Sequence, residues 1–66
     1  MPSSEDYLPI CRGSMHADDA AKVARRLVKA KGYFVMYPTT ISDIYDITLE
    51  SRHVKLVEKF ITLYDD

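Results

Sequence analysis

The chain has one cysteine, Cys11, and no tryptophan, asparagine or glutamine. A single cysteine excludes a disulfide within the chain and suits a reducing compartment. Lack of side-chain amides excludes amide-rich low-complexity behaviour. Histidine is scarce as well: His16 and His53 are the only two. With no second cysteine to support them, they give no metal-ligand spacing, so no metal or other cofactor is expected. Gly13 and Gly32 are the only glycines, which excludes a phosphate-cradling loop. No apolar run reaches the ~18 residues that a membrane span needs. The first residues, "MPSSEDYLPIC", are acidic and broken by proline, the opposite of a secretory leader. These absences together place the chain inside the cell, in the cytoplasm, as an expectation.

A strong charge of either sign is also missing. Nine basic and ten acidic residues leave a formal net charge of −1. A generic polyanion binder usually carries a clear positive excess. In 66 residues there is room for one small domain. Such a chain buries only about 60% of its unfolded surface, so its stability margin is thin. Natural domains of this size gain support from disulfides, a metal or another chain. With the first two excluded, another protein surface is the expected support, either a second copy or a larger partner.

What is present falls into a short list of elements. "HADDAAKVARRLVKAKG" predicts a helix over about 16–31. Ala20, Val23, Ala24, Leu27 and Val28 recur at helical spacing and make one apolar stripe. Ser14 is the expected N-cap, with His16 the alternative. Asp18 and Asp19 suit the positive end of the dipole, and Lys29 and Lys31 the negative end. Gly32 is placed to take the left-handed conformation that stops a helix. Ahead of it, "YLPICR" reads as loose chain or a short strand, confined to an edge by Pro9. Gly13-Ser14 is expected to break that segment. Arg12-Gly13-Ser14-Met15 also has the form of a cleaved-tag remnant before a start methionine, although the residues preceding it match no common tag.

"YFVMYPTTI" and "IYDITLE" predict a hairpin turning near Ser42-Asp43. In the second strand Tyr45, Ile47 and Leu49 share one face, and Asp46 and Thr48 the other. A second helix is expected after Thr48 or Ser51, with Val54, Val57, Phe60, Ile61 and Tyr64 on its apolar side, widened by Leu56 and Leu63. The expected class is α+β: helix, β-hairpin and helix in αββα order over residues 15–66, with both helices on one face of an antiparallel sheet. Residues 1–14 form the loose or edge-strand segment.

The first hairpin strand does not alternate. Tyr33, Phe34, Val35, Met36 and Tyr37 are apolar or aromatic in a row. Two helices cover one sheet face, so either Tyr33, Val35 and Tyr37 or Phe34, Met36 and Pro38 must point away from the core. Burying three such residues is worth roughly 1.5–3 kcal/mol for each large one, a gain forgone in water. Tyrosine and methionine are enriched in interface cores, and small sheets have unpaired edges. The plain alternative is ordinary half-exposure of amphipathic tyrosines. The expected function is a small non-enzymatic interaction protein: a homodimer, or a subunit, inhibitor or adaptor of a larger protein. Its interface residues would be Tyr33, Val35, Tyr37, Tyr45 and Tyr64.

The alternative function is nucleic-acid binding. Lys22, Arg25, Arg26 and Lys29 fall at i, i+3, i+4 and i+7 and form one basic stripe, a set of candidate phosphate contacts. The competing account is a solvated helix face. No specific nucleic-acid module is visible. For catalysis, Cys11 would need a base and His53 a carboxylate beside it, and no spacing ties such groups together.

Overall fold

A computed structural model of the chain describes residues 9–64. Their order is β1 (Ile10–His16), α1 (Ala17–Lys29), β2 (Phe34–Pro38), β3 (Ile44–Glu50), a 3-10 turn (Ser51–His53), α2 (Val54–Val57) and β4 (Thr62–Leu63). The four strands form one antiparallel sheet in the order β2-β3-β1-β4. The α+β class stands, but the αββα order is corrected, because strands both precede α1 and follow α2.

The first correction is β1. It is an inner strand between β3 and β4, seven residues long, rather than loose chain or an edge. Pro9 does not confine it, because Pro9 lies just outside the strand. Its carbonyl accepts from the Ser51 amide at 2.9 Å, and it has no donor to lose. Gly13 continues the strand instead of breaking it, paired with Ile47 on one side and Leu63 on the other. A Cβ at Gly13 would stand 2.6 Å from the Thr62 carbonyl oxygen, so only glycine lets β4 approach this closely. Arg12-Gly13-Ser14-Met15 is thus the middle of the sheet, and Met15 is buried. The expectation of loose chain over residues 1–8 lies outside the described residues.

α1 forms for the expected reasons, with different caps. His16, not Ser14, is the N-cap: its Nδ1 accepts from the Asp18 amide at 3.1 Å. At the other end Lys31 takes the left-handed conformation (φ 58°), and Gly32 does not. The Gly32 amide donates to the Leu27 carbonyl and the Lys31 amide to the Val28 carbonyl, both at 3.0 Å. That is the paired closure of a Schellman end, with Lys31 in the position usually held by glycine. Gly32 is needed for space instead. A Cβ there would press on the His53 ring, within 2.7 Å of Cε1.

The hairpin turns through Thr39–Asp43. The Thr39 hydroxyl donates to the Ile44 carbonyl at 2.9 Å and accepts from the Ile41 amide at 3.1 Å. Asp43 absorbs the left-handed step (φ 65°), which aspartate tolerates better than most residues.

The predicted second helix is the largest correction. Only the 3-10 turn and the single turn of α2 form, and the chain then turns into β4. A helix of this length has little stability of its own, so packing decides the matter. The Phe60 amide bonds back to the Val57 carbonyl and closes the turn, while the far side of β1 offers a free ladder to Thr62 and Leu63. Ile61 and Thr62, both β-branched, suit that outcome.

The core lies between the helices and the inner face of the sheet: Met15, Val23, Leu27, Ile47, Leu49, Val57 and Ile61. Val28, expected in the helix stripe, is instead 64% exposed.

Candidate interaction surface

Strand register fixes which side chains share a face. Cys11, Gly13 and Met15 stand beside Leu49, Ile47 and Tyr45, which stand beside Phe34, Met36 and Pro38. This set faces the helices, and Phe34 and Met36 pack against the core from its margin. Tyr33, Val35 and Tyr37 therefore project from the opposite face, where they are 55%, 39% and 40% exposed. Beside them on that face stand Asp46 and Thr48 of β3, then Arg12 and Ser14 of β1. The outer face is thus apolar along β2 and polar across its middle.

Tyr45 and Tyr64 do not join the β2 trio. Tyr45 is half-buried on the helix side, opposite Met15, because its even spacing with Ile47 and Leu49 carries all three inward. Tyr64 follows β4, not a helix. Its amide donates to the Arg12 carbonyl at 2.9 Å, and its hydroxyl donates to Asp46 Oδ1 on β3. The ring thereby spans the outer face over β1. The Asp46 carboxylate that accepts this proton holds the Tyr64 hydroxyl above the usual tyrosine range.

The main chain of β2 can be assigned as closely as its side chains. The Thr39 amide donates to the Ile44 carbonyl, which makes Thr39 and Ile44 a hydrogen-bonded pair. Alternation along the register gives the same role to Tyr37 with Asp46 and to Val35 with Thr48. The amides and carbonyls of Phe34 and Met36 consequently point away from β3. Among the described residues no strand pairs with that edge.

Glu50 holds the start of β2, and nothing in the sequence singled it out. By alternation it belongs with Asp46 and Thr48, yet it is 2% exposed. Its Oε2 accepts the Tyr33 amide at 2.8 Å, and His53 Nδ1 lies 3.3 Å from the same oxygen. Arg52 Nε stands 2.9 Å from Oε1, close enough for ion pairing but not aligned as a hydrogen bond. The Tyr33 hydrogen bond and the charges of Arg52 and His53 hold the Glu50 carboxyl below its ordinary range, against the opposing effect of desolvation. The only hint in the sequence is three polar residues, Glu50-Ser51-Arg52, placed where one element hands over to the next.

The basic stripe of α1 meets a second cation source. The Arg26 guanidinium lies 5.1 Å from the centre of the Phe60 ring, Lys59 Nζ 5.3 Å and Lys22 Nζ 5.9 Å. Arg26 also donates to the Leu56 carbonyl at 3.4 Å. Lys22, Arg26 and Lys59 thus gather around one aromatic ring, while Arg25 and Lys29 are exposed on α1 with no ion pair among the described residues.

Groups that could do chemistry are joined in pairs, His16 with Asp18 at 3.4 Å among them. Cys11 Sγ meets Ser51 Oγ at 3.0 Å, and His53 pairs with Glu50. Among the described residues there is no pocket and no cluster of three His, Cys, Asp or Glu side chains able to hold a metal ion. Nor is any helix among them long and apolar enough to cross a membrane.

The chain matches no family model, and neither curated proteins nor solved structures show a significant likeness to it.

Proposed function

We propose that the chain is a small non-enzymatic interaction protein that binds another protein chain through β2. One observation carries this reading: β2 is open on its outer face and along its outer edge together. Tyr33, Val35 and Tyr37 are exposed on the face, and the main-chain groups of Phe34 and Met36 point outward at the edge. Native edges are usually blunted by shortness, charge, proline, a bulge or a covering element; here Pro38 closes only the last position of the five-residue β2 and leaves Phe34 and Met36 open. Residues 33–38 carry no charge, and the register across to β3 runs without a bulge. A strand of this kind pairs with another strand through its main chain, and alternate side chains supply specificity.

The test is a double substitution, Tyr33→Ala/Tyr37→Ala. Both side chains lie off the core, so the urea midpoint of the monomer is expected to shift little. Assembly, read by sedimentation and by capture of a partner, is expected to weaken by about tenfold or more, the effect of losing roughly 1.4 kcal/mol. A chain that sediments as a monomer at high concentration and captures no partner removes this reading.

The cations around Phe60 favour a second reading, nucleic-acid binding through α1. Lys22, Arg26 and Lys59 raise the local positive potential above what the net charge of −1 suggests. Phosphate contacts by Lys22, Arg25, Arg26 and Lys29 would use that potential.

A further inference from the structure

We infer that the chain binding at β2 is a second copy of this protein, joined edge to edge around a two-fold axis at Val35; this rests on the interaction reading above. The pattern of main-chain donors is self-complementary and sets the register. Only Phe34 and Met36 offer outward amides on this edge. On one side of them, the Gly32 amide is already committed to the Leu27 carbonyl at 3.0 Å. On the other, Pro38 has no amide hydrogen. In an antiparallel pairing centred on Val35, Phe34 of each copy faces Met36 of the other. Each such pair exchanges two hydrogen bonds, so all four outward amides and their four carbonyls are satisfied. Gly32 then faces Pro38 of the other copy, and the ladder stops where neither side has an amide to give. A shift to either neighbouring two-fold register sets an outward amide opposite Pro38 or Gly32 instead.

Side chains agree with that register. Two copies of residues 33–38 oppose no like charges, because the segment has none. On the outer face Tyr33 of one copy meets Tyr37 of the other, an aromatic cross-strand pair, and Val35 meets Val35. On the helix face Phe34 meets Met36, which gives the thioether an aromatic neighbour. Phe34 and Met36 are the two core-margin residues left part-exposed at this edge, and a second copy would cover them.

The register makes a covalent test available. Residues 35 of the two copies form a non-hydrogen-bonded pair, with Cα atoms about 4.5 Å apart, a separation that a disulfide spans. The full chain carrying Val35→Cys and Cys11→Ala is expected to cross-link into a dimer in oxidised glutathione, which accepts the two electrons. Val28→Cys with Cys11→Ala, at an exposed site on α1, is expected to remain largely uncross-linked. Met36→Pro removes an amide that makes no bond inside the chain, so folding should survive, as read by far-UV circular dichroism. It deletes two hydrogen bonds from the dimer, and the dissociation constant is expected to rise roughly 10- to 100-fold. Cross-linking at Val35 no faster than at Val28 overturns the inference, as does a dimer unaffected by Met36→Pro. A monomeric chain that still binds another protein, and loses it in Tyr33→Ala/Tyr37→Ala, overturns the second-copy inference and leaves the wider reading standing. A monomer that binds nothing overturns both.

Discussion

Two residues show how single side chains set this structure. Gly13 gives its volume to a neighbouring strand, and Glu50 gives its charge to a neighbouring amide. Gly13→Ala would drive a methyl group into the Thr62 carbonyl, which is main chain and cannot rotate away. The expected cost is about 1–3 kcal/mol, the usual range for overpacking, and it should be read in the urea midpoint. Gly32→Ala presses chiefly on the His53 ring, a side chain that can shift, and comes no closer than 3.4 Å to Glu50 Oε2, so its cost should be smaller. Equal losses at the two positions would count against this account of β4. For Glu50 the sign follows from its lowered pKa. A carboxyl held below its unfolded value of 4.5 adds stability at pH above that value. The contribution fades as pH falls through the folded pKa. Glu50→Gln is therefore expected to be less stable than the parent chain at pH 7, with the gap closing as pH falls below 4.5 and through the lowered folded value. Denaturation midpoints at several pH values check this; a gap independent of pH would show that Glu50 acts by shape alone.

Among the elements, α1 and the hairpin were legible in the sequence because their signals are local. The apolar spacing of Val23 and Leu27, the acids of the first turn and the run Tyr33–Tyr37 all act within a few residues. β1 is legible only as an optional short edge strand, and β4 is not legible at all, because β1 forms its ladder with the distant β3 and β4 forms its own with β1. Gly13 and Pro9 read as breakers until a second backbone is found against Gly13 and the Ser51 amide against Pro9. The stripe of Val54, Val57, Phe60 and Ile61 satisfies helical spacing, yet the same residues serve one helical turn followed by a strand. Residue type alone groups Tyr45 and Tyr64 with Tyr33 and Tyr37; alternation places Tyr45 inward, and the Asp46 hydrogen bond lays Tyr64 over β1. One-sided helix cover leaves either Tyr33, Val35 and Tyr37 or Phe34, Met36 and Pro38 outward, and it is the strand register and the exposure of Tyr33, Val35 and Tyr37 that select the first set.

For the molecule as a whole, two surfaces stand out among the described residues. One is the uncharged face and edge of β2; the other is the cationic side where α1 meets Phe60. They use different residues, so the two functional readings can be tested by different substitutions. If the cationic side binds nucleic acid, affinity should fall steeply with salt, since each phosphate contact contributes a slope of roughly −0.7 to −0.9 in log affinity against log salt. Arg25→Glu/Arg26→Glu should abolish that binding while leaving assembly through β2 intact. Filter binding or fluorescence anisotropy at two salt concentrations decides it, and salt-independent binding would exclude the phosphate reading.

Composition and short-range pattern by themselves determined a small α+β domain with no disulfide within the chain. They also determined a strand with more apolar surface than the chain's own helices can cover. Those properties depend on side-chain type and on neighbours a few residues away. Only the tertiary structure decided that β1 is central, that the C-terminal segment closes the sheet as β4, and that Phe34 and Met36 turn their amides outward. Each of these follows from one main-chain segment lying against another distant in the sequence, where register and steric fit between backbones govern the outcome.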